Sequence, residues 1–316
     1  MRDLKRNLVI GTRSSKLALW QAEHIRDTLQ KHYPDLKIDL LKITTKGDKI
    51  LDVPLAKIGG KGLFTKEIEN ALLSKEVDLA VHSLKDMPTD LPEGLEISAI
   101  SKREEPYDAL ISPKFKTLDN LPHGAKVGTS SLRRKAQILK ARSDLVTVDL
   151  RGNLDSRLRK LETENLDAII LASSGLKRLG WQEHITEILS PEVCLPAVGQ
   201  GALAIESRKN DTEVLEIIKV LNDESSFIET TAERSFLAEV EGSCQVPVGV
   251  YAKLTPDKKE LVLKAIILSP DGNEFVQTEV RGLPNEKKQL GIKAAHELLN
   301  SGGKEILKKI GLFCNN

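Results

Sequence analysis

A turn that occurs twice constrains this chain most. Leu8-Val9-Ile10 runs into Gly11-Thr12-Arg13-Ser14-Ser15, and Lys16 to Leu29 then has helical character. Leu17, Leu19, Trp20, Ile25 and Leu29 give that stretch its apolar face. Lys126-Val127-Gly128-Thr129-Ser130-Ser131 leads in the same way into Leu132-Arg133-Arg134 and a helix to Ala141. An apolar strand, a Gly-Thr turn and a serine able to cap the helix make a βα unit. In both places a second strand follows, Ile38 to Ile43 and Leu145 to Leu150. Each is succeeded by a Gly-containing loop and a helix, Phe64 to Lys75 in the first copy and through Leu161 in the second. Each copy ends on an Asp-led apolar strand with a Ser/Lys loop, Asp78 to Asp86 and Asp167 to Arg178. Three matching stations in one order predict two similarly built α/β domains facing each other.

The link Lys102-Arg103-Glu104-Glu105-Pro106 is the expected crossing from the first domain to the second. Gly199-Gln200-Gly201 and the apolar run Ala202 to Ile205 are the expected return. The remainder is different in kind: a helix, Glu229 to Val240, then strands at Val248 to Leu254, Leu261 to Leu268 and Phe275 to Val280. Helix closes it at Gly291 to Leu299 and Lys304 to Ile310. The predicted division is 1–101 with 202–219, then 107–195, then 224–316 as a small α+β domain with an antiparallel sheet.

A formal net charge of +1 gives no global case for nucleic acid or an anionic membrane. The longest apolar runs fall far short of a membrane span. The N-terminus enters a strand with no apolar signal segment, which predicts a cytoplasmic chain. Cys194, Cys244 and Cys314 are widely spaced, which suits a reducing compartment, and neither they nor the six histidines have metal-ligand spacing.

Chemistry concentrates at three places. Asp78-Leu-Ala-Val-His-Ser-Leu-Lys-Asp-Met-Pro88 puts an imidazole, a hydroxyl, an ammonium and a carboxylate at a strand's carboxyl end. Ligands of open α/β sheets bind there. Lys126 to Lys160 holds ten basic residues and three acidic ones. Some of these are solvated helix faces. Arg133, Arg134 and Arg151, with Arg13, instead sit at strand ends and helix starts, positions suited to bidentate binding of carboxylate or phosphate. The third place is the loop Glu241-Gly-Ser-Cys244-Gln-Val-Pro247, whose flanking residues are poor core material. A covalent attachment point or nucleophile fits Cys244 better than a structural thiol. The segment Thr44 to Gly62, rich in glycine and lysine, reads as a lid over an anionic ligand.

Taken together, these motifs resemble the porphobilinogen deaminase (hydroxymethylbilane synthase) family along nearly the whole chain. The resemblance rests on Gly-Thr-Arg-Ser-Ser-Lys-Leu-Ala-Leu-Trp-Gln-Ala (11–22), Gly-Gly-Lys-Gly-Leu-Phe (59–64) and Val-His-Ser-Leu-Lys-Asp-Met-Pro (81–88). It continues through Gly-Thr-Ser-Ser-Leu-Arg-Arg (128–134), Arg-Gly-Asn (151–153) and Gly-Gln-Gly-Ala (199–202). Ala-Glu-Arg-Ser-Phe-Leu (232–237) and Gly-Ser-Cys-Gln-Val-Pro (242–247) complete it, with Ser243 where the family often has glycine.

The resemblance implies two periplasmic-binding-protein-like domains with a double crossover, plus the small C-terminal domain. It implies a dipyrromethane cofactor in thioether linkage to Cys244, and the joining of four porphobilinogens with loss of ammonia to give hydroxymethylbilane. By motif match Asp86 is the catalytic carboxylate. Arg13, Arg133, Arg134, Arg151, Arg157 and Arg178 match the anion-binding arginines. Lys61, Lys85, Ser83, Thr129, Ser131 and Gln21 match other residues near the active site. The expected partner is porphobilinogen, with no nucleic acid, membrane or metal, and the expected state is a monomer. A solute-binding module and a nucleic-acid binder are the rival classes. The missing signal segment and the Cys244 loop oppose the first. The near-neutral charge and 3% aromatic content oppose the second.

Overall fold

The computed structural model describes residues 7–49, 62–240 and 246–311. The chain opens with β1 (Leu8–Thr12), α1 (Lys16–His32), β2 (Ile38–Lys42), a short α2 (Lys46–Lys49), α3 (Lys66–Leu73), β3 (Leu79–Ser83) and β4 (Leu95–Ile100). Next come β5 (Asp108–Ile111), β6 (Lys126–Gly128), α4 (Leu132–Ala141), β7 (Val146–Val148), α5 (Leu154–Thr163), β8 (Ala168–Ala172), α6 (Ser173–Arg178) and β9 (Glu187–Ile188). β10 (Leu203–Arg208), α7 (Thr212–Ile218), α8 (Glu224–Glu239), β11 (Val248–Leu254), β12 (Leu261–Leu268), β13 (Phe275–Gly282), α9 (Lys287–Leu298) and α10 (Lys304–Lys309) complete it.

These elements form two compact units. The first takes residues 7–49, 62–104 and 202–227. Its sheet runs β2-β1-β3-β10-β4, with β1 parallel to β2 and β3, and β10 antiparallel to β3 and β4. Alternation along the strands decides what each face meets. Ile10, Leu79, Val81 and Ile205 pack on Ala22, Ile25 and Leu29 of α1. Ala80, on the opposite face, packs with Ile68 and Leu72 of α3.

The second unit takes residues 105–201 and 228 onward. Its five-stranded sheet runs β7-β6-β8-β5-β9, again three parallel strands followed by an antiparallel one from a crossing segment. The same unit contains the antiparallel sheet β11-β12-β13, whose Val250 and Leu263 pack on Phe236 of α8 and Leu298 of α9. Ala136 and Leu195 join Ile266 and Leu268 in one further apolar cluster, which ties this sheet to α4.

The two Gly-Thr turns form as expected. Ser15 caps α1, with the Ala18 N–H donating to its Oγ at 3.3 Å. Ser131 caps α4 in the same way through the Arg134 N–H. A Cβ at Gly128 would lie 2.8 Å from Leu166 Cδ1, so the second turn needs glycine for close packing. Ala172 to Arg178 reads as a loop, but Ser173–Arg178 is a helix. Its Ser173 Oγ donates to the Tyr107 carbonyl at 2.8 Å, so buried tertiary contacts decide the conformation of a Ser-Ser-Gly run with weak helical propensity.

Candidate active site

In the first unit a pocket opens at the carboxyl end of β3, where the sequence predicts one. Arg13, Ser15 and Gln21 line it from the β1–α1 side, Phe64 and Thr65 from the start of α3, and His82, Ser83 and Asp86 from β3 and the turn after it. Leu84–Asp86 forms a single 3-10 turn whose Leu84 is buried, which turns Asp86 outward. Among the described residues the Asp86 carboxylate is exposed and has no hydrogen-bond or ion-pair partner. A turn-capping aspartate would be occupied by the backbone. Asp86 is left available to a ligand.

Gln21, Ser83 and Arg13 of the pocket are held in place. Gln21, 3% exposed, donates from Nε2 to Ser83 Oγ at 2.8 Å. Arg13 donates from Nε to Asp48 Oδ1 at 3.1 Å, and its guanidinium stacks 4.3 Å above the Phe64 ring. Burial works against the charge on Asp48, but Arg13 and Thr45 outweigh it and hold the carboxyl below its usual range. Lys85 is half-buried beside Asp86 in sequence.

The second unit uses its arginines differently. Asp108, wholly buried on β5, lies at the centre. Arg133 NH1 donates to Asp108 Oδ2 at 2.7 Å and to the Leu195 carbonyl at 2.7 Å. Arg134 donates to Asp108 Oδ1 from Nε at 3.0 Å and NH2 at 2.7 Å, and to the Ile170 carbonyl at 3.1 Å. Gln200 Nε2 adds a bond to Asp108 Oδ1 at 2.9 Å. Burial opposes ionisation of Asp108, but the two guanidiniums overcome it and keep the carboxyl far below its usual range. Nε and NH2 of Arg133 have no acceptor among the described residues.

The remaining predicted residues fall into three groups. Arg178 is buried and donates to the Gly201 carbonyl at 2.6 Å. Arg157 Nε donates to the Gly152 carbonyl at 2.8 Å. Gly152 has φ +119°, and this backbone leaves Asn153 to cap α5. Arg151 has a buried NH1 without a partner, the single guanidinium nitrogen of that kind among the described residues. Thr129 Oγ1 accepts the Ser131 N–H at 3.2 Å, bracing the α4 cap. Lys61, Cys244 and most of the expected lid lie outside the described residues. Of the three cysteines only Cys194 is described. Burial, with Asp108 beside it, pushes its thiol up to about 12, which makes it a poor nucleophile.

Several residues that shape these sites escape sequence reasoning. Asp48 and Asp108 hold arginines that are 35 and 25 positions away. Glu206 on β10 meets His82 across 124 positions. Only the crossing itself, which brings β10 beside β3, could have pointed to the last pair.

Comparison with known proteins places these features in a family. The family described as porphobilinogen deaminase, dipyromethane cofactor binding domain, matches residues 8–216. The porphobilinogen deaminase C-terminal domain matches residues 227–300. The porphobilinogen deaminase of Desulforamulus reducens is 48% identical over 307 residues, covering 97% of this chain and 99% of that protein. That of Pelotomaculum thermopropionicum is 50% identical over 306 residues, covering 97% of each. Among solved structures, the methionine binding protein MetQ has a TM-score of 0.44 at 14% identity, over 74% of this chain and 94% of that one. A putative methionine-binding lipoprotein from Bacillus subtilis has a TM-score of 0.45 at 13% identity, over 71% and 94%.

Proposed function

The chain belongs to the porphobilinogen deaminase family, and from that premise we propose that Asp86 drives the head-to-tail joining of four porphobilinogens on a dipyrromethane carried by Cys244. The dipyrromethane is the cofactor of the family's matching domain. The observation that supports the assignment is the free Asp86 carboxylate in a pocket where Arg13, Gln21 and Ser83 are bound to neighbours. Loss of ammonia leaves positive charge on the substrate's methylene-pyrrole. A preplaced carboxylate stabilises that charge as it develops and accepts the pyrrole N–H.

The arginines suit the carboxylates of substrate and cofactor. Each pyrrole carries an acetate and a propionate, so negative charge accumulates with every ring. The unpartnered NH1 of Arg151 and the open Nε and NH2 of Arg133 are the donors that fit a carboxylated cofactor. Arg134, Arg178 and Arg157 are already bound to their own unit, and in this proposal they hold the anion-binding surface in shape as much as they meet the ligand. When bound, the dipyrromethane supplies the free pyrrole position at which the first ring is joined. Ser83 and Gln21 fix each other and orient the edge of the pocket. Lys61, Lys85, Thr129 and Ser131 belong to the same proposed set.

Attachment is assigned to Cys244 by the family motif, and the buried, protonated state of Cys194 is consistent with it. The proposal has the enzyme working as a cytoplasmic monomer. No helix among the described residues is long and apolar enough to cross a membrane. Intact-protein mass spectrometry tests the whole assignment. The purified protein should exceed its sequence mass by two porphobilinogens less two ammonias. Cys244→Ser should lack the addition, whereas Cys194→Ser and Cys314→Ser should retain it. An adduct that survives Cys244→Ser overturns the attachment site.

A further inference from the structure

Beside the Asp86 pocket lies a group of buried ionisable side chains that the mechanism above leaves idle. His82 lines the pocket and is 6% exposed. Its Nε2 lies 3.0 Å from Oε2 of Glu206, which has no exposed surface. The strand register explains the contact. Ala204 is opposite His82 and Glu206 opposite Ala80, so His82 and Glu206 are diagonal neighbours on one face of the sheet. That face is the one α3 covers, through Ile68 and Leu72. α3 adds a second buried carboxyl, Glu69. Among the described residues, Glu206 Oε1, Glu69 Oε1 and the Thr65 hydroxyl are all buried without a hydrogen-bond partner.

Orphaned oxygens on two buried carboxyls are a sign of a missing proton. One imidazolium can balance one carboxylate. The second is then cheaper as a neutral acid, whose O–H donates where two oxygens lack donors. Burial pushes Glu69 above its usual range; the Thr65 hydroxyl is the next largest effect and opposes it, Glu206 adds to it, and His82 and Glu67 follow with opposite signs. Among the described residues no cation other than His82 forms an ion pair with Glu206 or Glu69, and Lys66 at the start of α3 is exposed. β1 carries no ionisable residue, and Glu96 of β4 faces Ser98. Arg208 of β10 is bound to the Leu72 and Val77 carbonyls and to Asp78 and Asp211. Glu67, on α3 itself, adds one more carboxylate, also with a buried unpartnered oxygen. Arg13, across the pocket, is bound to Asp48.

We propose that His82, backed by Glu206 and Glu69, lends a proton to the departing amine and recovers it from the ring carbon that is attacked. This step rests on the deaminase reaction argued above. The C–N bond breaks with its electron pair remaining on nitrogen, and the imidazolium proton completes ammonia. A π pair of the acceptor pyrrole forms the new C–C bond. The C–H pair at that carbon restores the ring's aromaticity, and its proton returns to the imidazole. Aminomethylpyrrole and pyrrole thus give a methylene-bridged pair and ammonia, with no net proton exchanged. His82 is a second catalytic residue beside Asp86. Glu206 and Glu69 are positioning residues that act through it, Glu206 as its counter-charge and Glu69 as a neutral neighbour.

Infrared spectroscopy of the holoenzyme at neutral pH reads the buried acid directly. The carbonyl stretch of a protonated carboxylic acid should be present and should vanish in Glu69→Gln, an amide that mimics the neutral acid and preserves the fold. In single-turnover ring addition, His82→Gln should be slower by about a hundredfold or more, with kcat lowered and KM little changed. Glu206→Gln, which removes the carboxylate bound to the imidazole, should slow the same step with KM little changed. No acid band, or a band unaffected by Glu69→Gln, overturns the cluster. A parental rate in His82→Gln overturns the relay. Should His82→Gln fail to fold, a parental rate in Glu206→Gln does the same. A wild type that carries no pyrrole adduct and adds no ring instead overturns the deaminase reaction, and the relay with it, whatever the infrared band shows.

Discussion

The two α/β lobes share a strand order and a Gly-Thr-Ser turn, yet they use their central carboxylates in opposite ways. Asp86 ends a short turn after β3, exposed and unpartnered among the described residues. Asp108 begins β5 with no exposed surface, saturated by Arg133, Arg134 and Gln200. The scaffold therefore does not dictate the use. What differs is whether arginines lie within reach of the carboxylate in the folded lobe. Where they do, the charge becomes structural, and where they do not, it remains available for chemistry. The lesson applies to the arginines as well, since Arg134 is bound to its own unit while Arg151 has a donor to spare.

The largest effect expected from this contrast is on stability. Asp108→Asn leaves two buried guanidiniums without their counter-charge, at a cost of about 3–5 kcal/mol. Denaturant unfolding should show that loss, and a change below about 1 kcal/mol would place the arginines' compensation elsewhere. Acid should act in a matching direction. The native carboxyl titrates below its unfolded counterpart, so its contribution is whole above the ordinary carboxylate range and is lost as pH falls toward the native value. Asp108→Asn should flatten that part of the stability–pH curve.

Asp86→Asn should give the complementary result. No described group depends on this carboxylate, so the thermal midpoint should stay near the parental one. Removing the charge that meets a developing cation should slow ring addition by roughly a hundredfold or more. Asp86→Glu keeps the charge displaced by one methylene and should fall between the two. Single-turnover formation of the one-ring adduct measures both. A parental rate in Asp86→Asn, or a large loss of stability, would make Asp86 a second Asp108.

Much of the fold is legible along the chain because it depends on local pattern. Val248–Leu254 and Leu261–Leu268 are strands over the predicted span, and Ser15 and Ser131 cap the helices that follow the two Gly-Thr turns. The Asp86 pocket is legible for a topological reason, since the carboxyl end of a central strand is where such sheets bind ligands. What a charged residue does once folded is not legible. Arg133 and Arg134 look like ligand-binding groups from their place at a helix start, but the carboxylate that holds them arrives from another strand. The same is true of His82, which reads as one polar residue in a loop motif until β10 brings Glu206 beside it. The helix at Ser173–Arg178 is lost from view because burial, not propensity, forms it.

The smallest effect tests the likeness of the two turns. Ser15 and Ser131 each accept an N–H from the third residue on, at 3.3 and 3.5 Å, and their carbonyls accept from Leu19 and Lys135 at the same 2.9 Å. Equal caps should cost equally when removed, so Ser15→Ala and Ser131→Ala should each lose about 1 kcal/mol. The threonines before them break the symmetry. Thr12 Oγ1 donates into the helix, to the Ala18 carbonyl at 3.1 Å, whereas Thr129 Oγ1 accepts the Ser131 N–H at 3.2 Å. Thr129 therefore holds Ser131 from behind, as a side chain that must meet a ligand would be held. If Ser131 binds substrate or cofactor, Ser131→Ala should slow cofactor loading beyond what its stability explains, at a temperature where both variants are fully folded. Loading should be followed by intact mass after adding porphobilinogen to the apoenzyme. Equal loading rates in Ser131→Ala and the parent would reduce Ser131 to a helix cap, and the two turns would then differ only in the acids and arginines around them.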